Sequence, residues 1–226
     1  MTRCVLFDFD GTLIDTWRLY LESFRRALEP HFNRLLSDGE ILDLHPTAER
    51  RLLRRVVEDI RLADYFESFL SHYRAVHDAF LDGLYPGVPA MLADLQADGY
   101  VLGVVTGKSR AAWNTTFSKS GLQAFDVVVT DDDVMHPKPD PEGLMTALKA
   151  VNVRPSEAFY IGDSLLDCEA ACAARISFGA ALWSKQTFEQ DAFVAAVERL
   201  GIREVFKDPS AVVQKFASCP RMRCDA

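Results

Sequence analysis

Asp8 and Asp10 flank Phe9 at the end of the apolar run Val5-Leu6-Phe7, and Gly11-Thr12 follow directly. Such a run reads as a buried strand, so the two carboxylates leave a sheet together, and Gly11 admits a backbone turn that a Cβ would hinder. Paired carboxylates suit phosphoryl transfer. One can attack phosphorus to give an aspartyl-phosphate, which splits a hard displacement into two easier ones. The other can protonate the leaving oxygen and later accept a proton from the attacking water. Because two such groups interact strongly, a pH profile would belong to the pair rather than to either residue.

Farther along, Gly162-Asp163-Ser164-Leu165-Leu166-Asp167 places two more carboxylates four residues apart, able to point the same way from one helical turn. A carboxylate cluster that receives an anionic phosphoryl group needs its charge neutralised, which implies a hard divalent cation. Mg²⁺ takes few protein carboxylates and keeps several waters, a pattern that predicts Asp8 and Asp163 as ligands with Asp167 in support. Alone, Asp163 would read equally well as a helix cap. Thr106-Gly107-Lys108-Ser109 ends a strand and opens a helix, so its hydroxyls and amides, Thr106 and Gly107 among them, are candidates to hold phosphate oxygens. Lys108 itself reads as a solvated lysine. Lys138 reads differently, since Pro137 and Pro139 hold it extended and Asp140-Pro141 looks like an N-cap followed by the first helical residue.

The elements that must position these residues alternate in type. Short β-type runs at Val5–Phe9, Val101–Thr106, Asp126–Thr130, Ala158–Gly162 and Ile176–Leu182 are separated by helical patterns, the signature of βαβ units and a parallel sheet covered on both faces. Asp8, Thr106 and Asp163 all fall at carboxyl ends of these strands, where ligands sit in open parallel sheets. Residues 16–82 contain no convincing strand and read as an all-α insertion, with helices over Trp17–Leu28, Thr47–Leu62 and Asp64–Phe80. Tyr85-Pro86-Gly87 punctuates the return. The fold expected is α/β, a doubly wound Rossmann-like parallel sheet of residues 1–15 and 83–226 with a helical domain inserted at 16–82.

As an ordered set spanning about Val5 to Asp167, Asp8-Phe9-Asp10-Gly11-Thr12, Thr106, Lys138 and Gly162-Asp163 with Asp167 resemble the four motifs of the haloacid dehalogenase superfamily. The helical insertion resembles that family's C1 cap, as in phosphoglycolate phosphatases and β-phosphoglucomutases. The resemblance implies Asp8 as nucleophile, Asp10 as acid/base, and Mg²⁺ held by Asp8, Asp163 and the Asp10 backbone carbonyl. It implies also that Thr106 and Lys138 bind the transferring phosphoryl group. Dehalogenases lack the second aspartate of the first motif, phosphonate hydrolases have alanine there, and ion-pump relatives carry Lys-Thr in place of Phe9-Asp10, so the resemblance favours phosphoryl transfer. Hydrolysis of a small phosphomonoester is expected, as by a phosphoglycolate phosphatase, with pyrophosphate or a sugar phosphate as further substrates to consider. A β-phosphoglucomutase-like phosphotransferase shares all four motifs. A non-catalytic protein of this fold would usually have lost a nucleophile or ligand, and none is lost here.

Specificity is expected in the insertion, because residues there would face the leaving group and exclude water on closure. The turn Leu44-His45-Pro46-Thr47 lies between two of its helices, where C1-cap relatives place a specificity loop, making His45, Thr47 and Arg50 candidates. Arg50, Arg51, Arg54 and Arg55 crowd one helix, but Glu58 and Asp59 follow at helical spacing, so this face reads as solvated and partly paired. A net charge of −8 argues against nucleic acid as a partner. The partner expected is a small phosphorylated metabolite. No apolar run is long enough for a membrane span or an export signal, and five cysteines form no CxxC pair, so a cytoplasmic enzyme with reduced thiols is expected. Cys168 and Cys172 read as small packing residues of a helix.

Overall fold

The computed structural model describes residues 2–44 and 48–217. At its centre lies β1 (Cys4–Phe7), four apolar residues without exposed surface. Val5 and Phe7 enter one apolar cluster while Cys4 and Leu6 enter another, as a strand covered on both faces must. Beyond the turn that carries Asp8 and Asp10, β2 (Ile14–Asp15) leads into α1 (Trp17–Phe32), α2 (Asp38–Asp43), α3 (Glu49–Val56) and α4 (Leu62–Phe80), and β3 (Gly83–Leu84) brings the chain back. β2 and β3 pair antiparallel, Ile14 with Leu84 and Asp15 with Gly83, so the helical insertion leaves and rejoins at one short ribbon.

The remainder alternates as α5 (Val88–Ala97), β4 (Val101–Val105), α6 (Arg110–Ser120), β5 (Val127–Val129), α7 (Glu142–Ala150), β6 (Ala158–Gly162), α8 (Leu165–Ala174), β7 (Ser177–Ala181), α9 (Thr187–Arg199), β8 (Val205–Phe206) and α10 (Pro209–Ala217). All six strands of the main sheet run parallel in the order β5-β4-β1-β6-β7-β8. Met91, Trp113 and Phe216 bring α5, α6 and α10 onto one face, and Leu144, Cys168 and Val197 bring α7, α8 and α9 onto the other. The doubly wound sheet is therefore as expected. Strand order reverses at β1, which opens a crevice beyond its carboxyl end between β4 and β6.

The insertion has an apolar core of its own, built from Phe24, Ile41, Leu52, Phe66, Phe69 and Tyr73, with Ala112 of α6 packed into it. The helix expected over residues 47–62 is shorter: α3 stops at Val56, Val57 is extended, and a 3₁₀ turn at Asp59–Arg61 leads into α4. Ile60, whose spacing supported the longer helix, is 86% exposed, so the apolar period is not used there. α2 was not expected, although its signal stands in the sequence: Ser37 Oγ accepts from the Glu40 N–H and Glu40 accepts from the Ser37 N–H, a capping box. Cys168 is buried and Cys172 exposed, while His45, Thr47, Cys219 and Cys224 lie outside the described residues. Among the described residues, no helix is long and apolar enough to cross a membrane.

Candidate active site

Asp8 stands one residue beyond β1, and its backbone N–H still donates to the Ile161 carbonyl of β6, which fixes where its side chain leaves the sheet. Lys138 Nζ lies 3.0 Å from Asp8 Oδ1. The same ammonium donates to Asp167 Oδ1 at 2.6 Å and to the Tyr160 hydroxyl at 3.2 Å. Burial pushes the Asp8 carboxyl well above the usual carboxylate range, against the pull of Lys138, and the carboxylates of Asp167, Asp163 and Asp10 add to the rise. Asp8 Oδ1 is buried and accepts no aligned hydrogen bond despite its lysine neighbour.

Asp10 sits beyond the strand end and presents Oδ1 to two donors, the Thr16 hydroxyl at 2.6 Å and Lys108 Nζ at 2.8 Å. Lys108 is therefore no solvated lysine: it is buried, with its ammonium 4.1 Å from the Tyr20 ring centroid and 5.0 Å from that of Tyr73. Burial alone would lower its pKa, yet Asp10, Tyr73 and Glu49 together hold it above the usual lysine value. The sequence around Lys108 gives no hint of this, because its partners come from α1, α4 and the first strand end. Thr106, also buried, uses its hydroxyl oxygen to accept the Lys108 backbone N–H at 3.1 Å, which leaves the hydroxyl proton to donate elsewhere.

Asp163 follows β6 and receives three side chains: Thr12 Oγ1 at 3.2 Å on Oδ1, with Ser184 Oγ at 3.3 Å and Lys185 Nζ at 2.7 Å on Oδ2. Burial raises its pKa, opposed chiefly by Lys185. Lys185 was not foreseen; it stands after β7, and only the fold brings it beside Asp163. Asp167 is fully buried, with Oδ2 accepting the Ser164 N–H and hydroxyl and Oδ1 accepting Lys138 and Tyr160. One carboxylate oxygen from each of Asp8, Asp163 and Asp167 lies within 4.8 Å of the others.

A cavity of about 270 Å³ collects Asp8, Asp10, Thr106, Gly107, Lys138 and Asp163, roofed by the helical insertion through Trp17, Tyr20, Leu21, Phe24 and Ile41. Arg50 does not line it. Its guanidinium lies over the Phe66 ring, 3.6 Å from the centroid, and its Nε is 3.6 Å from Asp132 Oδ1. Arg51 Nε likewise meets Asp131 Oδ1 at 3.0 Å. The arginine face of α3, read from sequence as solvated and paired within its own segment, thus turns two of its members onto the acidic Asp131–Asp133 turn that follows β5.

The sequence pattern of the haloacid dehalogenase-like hydrolases matches residues 5–181, which takes in every one of these core positions except Ser184 and Lys185. The chain belongs to the haloacid dehalogenase-like hydrolases. Pyrophosphatase PpaX of Bacillus velezensis is 35% identical to this hydrolase over 80% of the chain and 83% of its own length. The PpaX of Bacillus thuringiensis is 32% identical over the same shares. Among solved structures, a candidate phosphoglycolate phosphatase from Lactobacillus plantarum superposes with a TM-score of 0.78 at 25% identity, covering 95% of this chain and 99% of its own. CbbY from Rhodobacter sphaeroides, solved with phosphate, shares the fold at a TM-score of 0.75 and 22% identity, over 92% of this chain and 95% of its own. The activity of this haloacid dehalogenase-like hydrolase is phosphoric ester hydrolysis.

Proposed function

We propose that this hydrolase is a Mg²⁺-dependent phosphatase that cleaves a small phosphomonoester through an aspartyl-phosphate on Asp8, with residues 16–82 acting as a cap over a core of residues 1–15 and 83–226. The observation that carries the reading is the pair of carboxylates at one strand end in unlike settings: Asp8 buried beside Lys138, and Asp10 bonded to Lys108 and Thr16. Two carboxylates with different partners at one strand end can take the different roles of nucleophile and acid/base.

The residues fit a hard divalent cation. Asp8 Oδ1 is a buried carboxylate oxygen without an aligned donor, and the oxygens of Asp163 cluster with it. Asp8, Asp163 and the Asp10 carbonyl would hold Mg²⁺, while Asp167, whose oxygens already receive Ser164, Lys138 and Tyr160, supports them. Bound there, the cation neutralises charge on the phosphoryl oxygens. Asp8 attacks phosphorus as the ester P–O bond breaks and Asp10 gives its proton to the leaving oxygen. Asp10 then takes a proton from water, whose oxygen attacks phosphorus as the bond to Asp8 breaks. Lys138, the Thr106 hydroxyl and the Gly107 amide hold the phosphoryl oxygens throughout.

The roof of Trp17, Leu21, Phe24 and Ile41 suits a carbon skeleton next to the phosphate, which supports an organic ester. Kinship with pyrophosphatases supports pyrophosphate as a second substrate to consider. A screen of the purified enzyme against phosphoglycolate, sugar phosphates, nucleotides and pyrophosphate, with Mg²⁺ or with a chelator, tests both readings. Turnover of at least one of these with Mg²⁺ and loss of activity under chelation are expected, and activity that survives chelation overturns the metal assignment.

Gly11→Ala is a further test. Gly11 has φ +80° and a Cβ there would lie 2.5 Å from Asp163 Oδ2. A left-handed alanine costs about 1–2 kcal/mol, and the displaced carboxylate should weaken cation binding about 10–100-fold. Urea unfolding and a Mg²⁺ titration of activity read the two effects separately. An unchanged Mg²⁺ requirement would remove Asp163 from the metal site.

A further inference from the structure

Glu49 is a carboxylate on the first turn of α3, without exposed surface, and nothing in the reaction above uses it. Its Oε2 accepts the backbone N–H of Ser109 at 2.7 Å, and its Oε1 accepts the Tyr20 hydroxyl at 2.7 Å. Ser109 caps α6 in the core, immediately after Lys108. Tyr20 belongs to α1, and its ring lies against the Lys108 ammonium, with Tyr73 of α4 on another side. One carboxylate thus ties the helical insertion to the core loop at the point where Lys108 reaches Asp10. Tyr73 is itself fixed to the core, its hydroxyl 2.6 Å from that of Thr116 on α6.

A lysine confined between two tyrosine rings, with a carboxylate ahead of it, has one place to put its charge. Its stem is buried, so it cannot turn to solvent without lifting the insertion away. Glu49 places a second carboxyl group near the same ammonium, its own oxygens held by a backbone N–H and a phenol. The arrangement spans α1, α3, α4 and the loop after β4, and it exists only when the insertion is seated on the core.

We propose that Glu49 and Lys108 are positioning residues for Asp10: docking of Glu49 on the Ser109 N–H seats Lys108 against Asp10 Oδ1 and so orients Asp10 for proton transfer to the leaving oxygen. The proposal rests on the reading of Asp10 as the acid/base. Efficient cleavage of esters that need protonation is thereby restricted to the seated state.

Leaving-group dependence tests it, because a proton donor matters for an alkoxide and hardly at all for a dinitrophenolate. Lys108→Met and Glu49→Gln are compared with the parent enzyme using an alkyl phosphate and 2,4-dinitrophenyl phosphate, both with saturating Mg²⁺. Acid/base help is commonly worth about 10²–10⁴-fold, so kcat/KM for the alkyl ester should fall by about 10²-fold in Lys108→Met and about 10-fold in Glu49→Gln. For the dinitrophenyl ester kcat/KM should change less than about 3-fold, while kcat falls and a burst of dinitrophenol appears, since breakdown of the aspartyl-phosphate also needs Asp10. Tyr20→Phe, which removes only the hydroxyl that Glu49 accepts, should move in the same direction and guards against a misfolded Lys108→Met. Equal losses on both esters, or none on either, overturn the proposal. Asp10→Asn serves as the reference: if that variant also lacks the leaving-group preference, the acid/base reading itself falls, whereas a preference in Asp10→Asn alone rejects only the roles of Glu49 and Lys108.

Discussion

Asp8→Asn is expected to lower phosphate release from an aryl phosphate by at least roughly 10³-fold in the presence of Mg²⁺, the scale of loss when an enzyme nucleophile is removed. The amide keeps the shape of the carboxylate at the end of β1 but cannot attack phosphorus. Its effect on stability should be opposite in sign. Burial and the nearby carboxylates of Asp167, Asp163 and Asp10 raise the folded-state pKa of Asp8 above its unfolded value, so its ionised form opposes folding. Below the ordinary carboxylate pKa both states are protonated and the group contributes nothing. As pH rises above that value the unfolded chain releases the proton first, and stability is lost until the folded carboxyl has ionised as well. In a chelating buffer, Asp8→Asn should therefore melt at the same temperature as the parent enzyme at low pH and at a higher one near neutrality. Lys138 keeps Asp167 and Tyr160 as partners in this variant, which limits the opposing cost. Retained activity would remove Asp8 as nucleophile, and a lower melting point at neutral pH would mean that its pairing with Lys138 outweighs the repulsion.

Local patterns carried much of the core into view from the sequence. Continuous apolar runs mark β1, β4 and β6 because each is covered on both faces, and carboxyl ends of such strands are where Asp8, Thr106 and Asp163 stand. Contacts made across the chain were invisible. Lys108 looks like any lysine in a strand-to-helix turn; its burial comes from Tyr20 and Tyr73, 88 and 35 residues earlier, which only the seating of α1 and α4 brings to it. Lys185 meets Asp163 for the same reason. β8 was missed because Val205–Phe206 is two residues long at the sheet edge, too short for any period. Arg50 and Arg51 could not be told from a solvated face, since their partners Asp132 and Asp131 lie in the core rather than a helical turn away.

Lys138→Met should separate what that residue does for the fold from what it does for the reaction. Its ammonium touches Asp8 Oδ1 at 3.0 Å and Asp167 Oδ1 at 2.6 Å, and Asp167 has no exposed surface. Removing the cation leaves buried carboxylates without their counter-charge, a loss of about 3–5 kcal/mol when one member of a buried pair is deleted. For a chain of this size that corresponds to a melting point lower by roughly 6–20 °C. Phosphate release should fall at least about 10²-fold, as when a single donor to a developing oxyanion is removed. Adding Asp167→Asn neutralises the carboxylate that Lys138 balanced most closely, while keeping an oxygen able to accept from Tyr160. The double variant should recover a good part of the melting point, because contacting partners are not additive, and none of the activity. Recovery of both would mean that Lys138 serves only to hold Asp167, and the phosphoryl oxygens would then depend on Thr106 and Gly107 alone. Recovery of neither would mean that the Lys138–Asp8 contact, rather than the Lys138–Asp167 pair, carries the stability of this corner of the sheet.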